Sequence, residues 1–317
     1  GKSWVMDYGF ERILREYPGV HEGFFIFDAD NLISPEYTRI MNDAFDQGYM
    51  AVTSYRNSKN FGSSWISAAY ATAFLREARF LNNARMICGT SCAVSGSGYL
   101  ISAKIVEGMR GWQFPFAYRR HPVFHVLCRP WGCASPMPPL SSLTSRPVTF
   151  AASWKQRMRW TKGFLPGVLH LWRTIGKDAF TRRHFAAYDY AHDGCARQPH
   201  NAHLDSRKRR VSRRWGLLSH GFLATDAELE SCFESIIMTL FTLYQTYFVL
   251  GLLTTVFEYK HIHCPQRWRI VLNLFTFPIF MFTYIPLIVA ALFLKVDWVP
   301  TPHSLALTLD DVVGEAS

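Results

Sequence analysis

Two runs without a charged side chain, Ser235–Phe257 and Ile270–Leu294, constrain this chain more than any other feature. Each exceeds the ~20 apolar residues that carry a helix across a bilayer core. They are read as transmembrane helices rather than as buried helices of a soluble core. Ahead of them, charged and apolar residues are mixed as in a soluble domain. The chain therefore divides into a soluble-type part, 1–185, and a membrane region, 186–317.

The formal net charge of +10 is concentrated in two short blocks, Arg173–Arg183 and Arg207–Arg214. Basic blocks next to apolar runs suit the cytoplasmic flank of a membrane protein. No nucleic-acid-binding signature accompanies them, so membrane lipid is the expected partner and nucleic acid is not. A competing reading makes 197–214 a salt-sensitive binder of nucleic acid or anionic lipid. The seven cysteines are scattered with no Cys-x-x-Cys pair, which argues for reduced, mostly buried thiols and against zinc.

The soluble part alternates strand and helix signals, predicting an α/β domain with a largely parallel sheet. Apolar residues at helical spacing over 4–17 stop at Pro18-Gly19. Gly23–Phe27 reads as a buried strand running into Asp28-Ala29-Asp30-Asn31. Ser34-Pro35-Glu36 opens a helix, with Ser34 as N-cap and Pro35 at the first position. Ala51–Tyr55 is a second strand, Trp65–Asn83 a long amphipathic helix, and Cys92–Ile101 a glycine-containing strand. No period holds over 116–147. A helix is expected from Phe150 through Trp160, and an amphipathic, interfacial stretch from Phe164 to Trp172.

Two constellations carry chemistry. Asp28 and Asp30, one residue apart at a strand end, are suited to a hard divalent cation that neutralises a diphosphate. Alone, such a pair is more often an ordinary surface turn. On the helix after Phe150, Gln156, Arg159 and Trp160 share a face at i, i+3 and i+4. Arg159 can hold a phosphate and Trp160 can stack on a sugar. The competing reading is an interfacial helix with basic and aromatic anchors.

The order Phe27-Asp28-Ala29-Asp30-Asn31, Tyr55-Arg56-Asn57-Ser58-Lys59-Asn60, Gly96-Ser97-Gly98-Tyr99, Ser153–Gly163 with its Gln-x-x-Arg-Trp, then membrane spans, resembles the processive family 2 glycosyltransferases. Cellulose, chitin, hyaluronan and poly-N-acetylglucosamine synthases belong to that group. The likeness, closest to bacterial members, covers 1–115, 147–189 and 216 onward. It implies a partial GT-A (Rossmann-like) fold and inverting transfer from a nucleotide-sugar donor, commonly a UDP-sugar, to a glycan or lipid acceptor. It also implies Mg²⁺ or Mn²⁺ at Asp28 and Asp30. Gln156, Arg159 and Trp160 would serve the donor diphosphate and acceptor end, and Gly96, Ser97 and Gly98 would shape the acceptor site. The implied location is the plasma membrane, multi-pass, with the catalytic part cytoplasmic.

Two departures stand against this pattern. The strands that bind the nucleotide base would precede Gly1, so the chain reads as N-terminally truncated. The family's Thr-Glu-Asp, whose Asp is the general base, is also missing, since no carboxylate occurs between Glu107 and Asp178. Ala117-Tyr118-Arg119-Arg120-His121 can be encoded by a run that, one base later, spells Leu-Thr-Glu-Asp-Ile. The polar stretch from Tyr190 to His203 can likewise conceal an apolar helix. Charge bias agrees with this. Residues 216–234 hold no Lys or Arg, whereas 258–269 hold Lys260, Arg267 and Arg269. That pattern requires a third span near 190–215. The expectation is therefore a frameshifted, inactive fragment of a membrane glycosyltransferase. The alternative is a membrane scaffold or pseudoenzyme that binds nucleotide without turnover.

Overall fold

The computed structural model describes residues 2–94, 96–109, 133–136, 142–162 and 226–294. It is a mixed α/β structure followed by long apolar helices. Helix α1 (Lys2–Glu16) ends at a turn in which Gly19 takes φ +70, as Pro18-Gly19 predicts. Strand β1 (Gly23–Ile26) leads through the Asp28–Asn31 turn to β2 (Leu32–Ile33) and α2 (Tyr37–Asp46). Helix α2 starts later than expected. The Ser34 carbonyl, not its hydroxyl, accepts from Tyr37 N–H, closing a turn ahead of the helix. Strands β3 (Ala51–Thr53) and β4 (Arg56–Ser58) follow.

Helix α3 (Trp65–Arg76) opens with a capping box in which Ser64 Oγ accepts from Ser67 N–H at 3.1 Å. It continues through one π-helical stretch, Glu77–Asn82, into α4 (Asn83–Ile87). The expected amphipathic helix is buried nearly all round its first turns, from Ile66 to Thr72. It is enclosed because it lies between the strands and the apolar C-terminal helices. Strand β5 (Tyr99–Ser102) is shorter than the expected 92–101 and runs into α5 (Ala103–Met109).

The main sheet has the order β1-β5-β3-β6, where β6 is Cys133–Ala134. Strand β5 is antiparallel to both β1 and β3, and only β6 runs parallel to β3. This corrects the expectation of a largely parallel sheet. The α3–α4 excursion returns the chain to the edge where β1 ends, with Gly98 N–H on the Ile26 carbonyl at 2.8 Å. From there the strand can only run back. Side-chain alternation along β5 sends Tyr99 and Ile101 to a core with Phe10 and Val106, and Leu100 to one with Tyr37 and Met41. Helices thus cover both faces. A second small sheet, β2-β7-β4, has β7 (Ser142–Thr144) at its centre. Residues 133–134 and 142–144 therefore form strands within the stretch where no period was legible.

Helix α6 spans 150–162, as expected, with Thr149 Oγ1 accepting from Ala152 N–H. Then come α7 (Asp226–Glu258), α8 (Arg267–Phe282) and α9 (Tyr284–Phe293). Glu230–His261 and Arg267–Phe293 are long and apolar enough to cross a membrane, with mean hydropathies of 1.7 and 2.0. They match the two predicted spans. Only 11% and 33% of their most apolar windows are buried, leaving Ile236, Phe241, Val249, Val256, Leu272 and Val289 exposed. Apolar surface of this extent is what a lipid-facing helix presents. Gly251 lets the Phe277 ring lie against α7, since a Cβ there would meet Phe277 Cδ1 at 2.9 Å. The interfacial stretch 164–172 and the degraded span at 190–215 lie outside the described residues.

Candidate functional site

Asp28–Asn31 is a β-turn closed by Asn31 N–H on the Asp28 carbonyl at 3.1 Å. Ala29 is exposed while Asp28 and Asp30 are half-buried. Tyr99 lies close to Asp28. Burial first, and the Asp28 charge second, push its phenol up from the ordinary range. Asp30 Oδ2 accepts from Ser145 N–H at 3.3 Å, and the Asp30 carbonyl accepts from Lys59 Nζ at 3.0 Å.

Asn31 joins this turn to the glycine loop. Its Nδ2 donates to Ser97 Oγ at 2.8 Å and to Ser142 Oγ at 3.2 Å. Gly96 and Gly98 take φ +76 and +73. The space beside Gly98 belongs to the protein itself. A Cβ there would stand 2.8 Å from Ser54 Oγ and 2.9 Å from Ser142 Oγ. Ser97 is buried and turned toward Asn31. Of this loop, Gly96 has the freest surroundings, with Arg56 Nη1 at 3.5 Å from a built Cβ.

The Tyr55–Asn60 motif braces the site on several sides. Tyr55 donates its hydroxyl to Glu258 at the end of α7. Arg56 pairs with Glu77 of the π-helical stretch at 2.9 Å, with both side chains buried. Asn57 Nδ2 reaches the His261 carbonyl at 2.5 Å, and Asn60 holds both the N–H and the carbonyl of Arg146. Lys59 holds Asp30. The motif thus fixes the Asp turn relative to the first apolar helix.

Trp160 and the Asp turn are connected through Phe74 and Arg146. The Arg56 and Arg146 guanidiniums stand 4.4 Å and 3.9 Å from the Phe74 ring centre. Trp160 packs edge-on against Phe74 and Tyr70, with centroids 6.3 Å and 5.9 Å apart, and keeps 37% of its surface exposed. An aromatic ring held rigidly yet part open is suited to stacking on the apolar face of a sugar. Arg146 follows the residue that binds Asp30, so one segment touches both ends of the site. Gln156 and Arg159 are both half-buried on the same helix as Trp160, and Gln156 Oε1 has no partner.

The residue of this helix that sequence reasoning missed is Arg157, which is fully buried. It sits off the Gln156/Arg159/Trp160 face. Its Nη1 donates to Thr283 Oγ1 at 2.6 Å, and its guanidinium lies over Phe280 and Tyr284 at 4.4 Å and 4.7 Å. Thr283 marks the break between α8 and α9. Pro286 enforces the break, because its ring has no N–H and crowds the carbonyl four residues back. Lys162 Nζ adds a bond to the Ala291 carbonyl at 2.8 Å. These contacts tie α6 to the second long apolar segment, while Tyr55 ties the Tyr55–Asn60 motif to the first.

Arg146 is the other residue without a sequence signal. It is buried, and Nε and Nη2 have no hydrogen-bond partner. Burial, then the neighbouring Arg56 cation, pulls its guanidinium down to about 9. Replacing a poorly satisfied buried ion by an apolar side chain of similar volume is often stabilising. Arg146→Met is therefore expected to raise the thermal midpoint, by about 1–2 kcal/mol of stability. A fall instead would mean that the contact with Phe74 outweighs the burial of the charge.

No group of three or more His, Cys, Asp or Glu capable of holding a metal occurs among the described residues. Asp28 and Asp30 on one turn could supply two carboxylates to Mg²⁺ or Mn²⁺. Mg²⁺ commonly takes one or two carboxylates and completes its shell with water and substrate phosphates. The donor set thus fits a metal that arrives with a diphosphate and does not fit a resident structural ion.

A scan against protein-family models finds no match to this chain, and a search of curated proteins finds no matching relative.

Proposed function

We propose that this chain carries the metal–diphosphate part of the donor site of a membrane-embedded, inverting glycosyltransferase of the GT-A type, resembling family 2. The observation that carries the reading is the junction of the Asp28/Asp30 turn, the Gly96–Gly98 loop and Trp160 on the surface next to the apolar helices. Asp28 and Asp30 would hold Mg²⁺ or Mn²⁺ bound to the diphosphate of a nucleotide-sugar, probed with UDP-sugars; the cation neutralises charge developing on the leaving diphosphate. Trp160 would orient the sugar or the acceptor end, with Gln156 and Arg159 serving the diphosphate. With the site at the cytoplasmic face, a glycan or lipid acceptor comes from the membrane side.

The chain itself is proposed to bind without turning over. Deprotonating an acceptor hydroxyl needs a general base within hydrogen-bond reach. Residues 108–177 contain no carboxylate. Glu77 is engaged by Arg56. A nucleotide-release assay on the purified chain, with UDP-glucose or UDP-N-acetylglucosamine and Mg²⁺, tests both halves. Retained UDP binding with no UDP release is expected. UDP release would overturn the inactivity, and lack of UDP binding would overturn the donor-site reading.

A further inference from the structure

A cavity of about 230 Å³ lies between the turn after β4 and the loop that enters α8. It is smaller than the ~300 Å³ at which pockets for whole small molecules begin, so it suits a single functional group. Its lining contains no Asp or Glu, but it includes Lys59, His263 and Arg269. Arg269 is fixed by Nη1 on the Gly62 carbonyl at 2.6 Å, and Lys59 by the Asp30 carbonyl at 3.0 Å. His263 Nδ1 is buried with no hydrogen-bond partner. Gln266, also in the lining, stands at the N-cap of α8 without a side-chain cap, and its carbonyl accepts the Arg269 N–H at 3.0 Å. Two fixed basic residues and a ring nitrogen without a partner among the described residues border one small space at the start of α8, an arrangement suited to a tetrahedral anion.

The location narrows the class further. The cavity sits between the end of α7 and the start of α8, where the apolar segments give way to polar chain. Trp268 is 62% exposed beside it, and the Arg267 guanidinium lies 5.1 Å from the Tyr259 ring centre. Exposed aromatic and basic residues at the end of an apolar helix mark the headgroup level of a bilayer. We propose that this cavity is a phosphate site, filled from the membrane by the headgroup phosphate of an anionic phospholipid. Basic pockets at the cytoplasmic ends of membrane helices take such headgroups. Lys59 borders the cavity and its Nζ donates to the Asp30 carbonyl, so the cavity wall and the Asp turn share one residue. The site depends on the membrane reading and is independent of glycosyl transfer.

The test is ligand-induced thermal stabilisation of the detergent-solubilised full chain. It is titrated separately with inorganic phosphate and with short-chain phosphatidylglycerol, using short-chain phosphatidylcholine as the uncharged-headgroup control. Phosphatidylglycerol is expected to raise the midpoint saturably. Its apparent affinity should fall at least tenfold in Arg269→Gln and in His263→Phe, the latter keeping volume and fold while removing the ring nitrogens. Equal stabilisation by inorganic phosphate, lost in the same variants, supports the phosphate site and transfers its source to solution, overturning the lipid assignment. Stabilisation by neither ligand overturns the site. So does lipid stabilisation that is unchanged in His263→Phe, or equal stabilisation by phosphatidylcholine.

Discussion

Arg157→Ala should lower the stability of the detergent-solubilised chain by about 3 kcal/mol, a drop of roughly 5–10 °C in its thermal midpoint. Arg157 heads the fully buried side chains by volume, so truncation opens a cavity between α6 and the α8–α9 break. It also removes the bond to Thr283 and two cation–π contacts. Those contacts contribute most where water is excluded. Removing the two unpartnered guanidinium nitrogens offsets part of the loss. Arg157→Met, which refills the space, should cost less than half as much. Equal losses in the two variants would show that the charge, not the volume, holds α6 in place.

Gly98→Ala should cost about 3–4 kcal/mol and weaken metal-dependent UDP binding tenfold or more. Positive φ alone costs an alanine about 1–2 kcal/mol. The rest comes from overlap, since the new Cβ would lie within 3 Å of Ser54 Oγ and Ser142 Oγ. Ser54 Oγ donates to the Gly98 carbonyl, and Ser142 Oγ accepts from Asn31. Any shift that relieves the overlap breaks one of these bonds and moves the Asp28–Asn31 turn. Gly96→Ala is the internal control. Its φ is similar, but its nearest neighbour is Arg56 Nη1 at 3.5 Å, an ordinary contact. It should show the backbone cost alone. Similar losses at Gly96 and Gly98 in melting and in UDP titration would remove the proposed link between the loop and the turn.

Features written in local pattern were readable from the sequence. Charge-free runs located the long apolar helices, and the Gly23–Phe27 run located β1 with the Asp turn at its end. The helix at 150–162 starts at Phe150, where order returns in the sequence. Strand direction was not readable, because alternating strand and helix signals say nothing of where the chain re-enters the sheet. β5 runs backward because Gly98 docks beside Ile26, a contact across more than 70 positions. The two unheralded arginines have the same cause. Arg157 sits in the candidate binding helix and looks like another phosphate ligand, yet it is spent on Thr283, 126 positions away. Arg146 lies in a stretch with no period, and its place over Phe74 is set by Asn60 holding its backbone. Among the candidate site residues, the sequence grouped Gln156, Arg159 and Trp160 by helix face. What it could not show is that Ser97 is turned inward to hold Asn31.

The Asp28/Asp30 turn is most directly tested by titrating Mn²⁺ into the purified chain, with and without UDP, while following the free ion by electron paramagnetic resonance. Two carboxylates without a third ligand group predict weak Mn²⁺ binding alone and a strong, stoichiometric ternary complex when UDP supplies its phosphates. Asp28→Asn and Asp30→Asn should each weaken that complex by about 10–100-fold, the usual scale for disturbing a metal's surroundings. Mn²⁺ binding that is indifferent to UDP, or a ternary complex that survives both substitutions, would contradict a metal–diphosphate site at this turn.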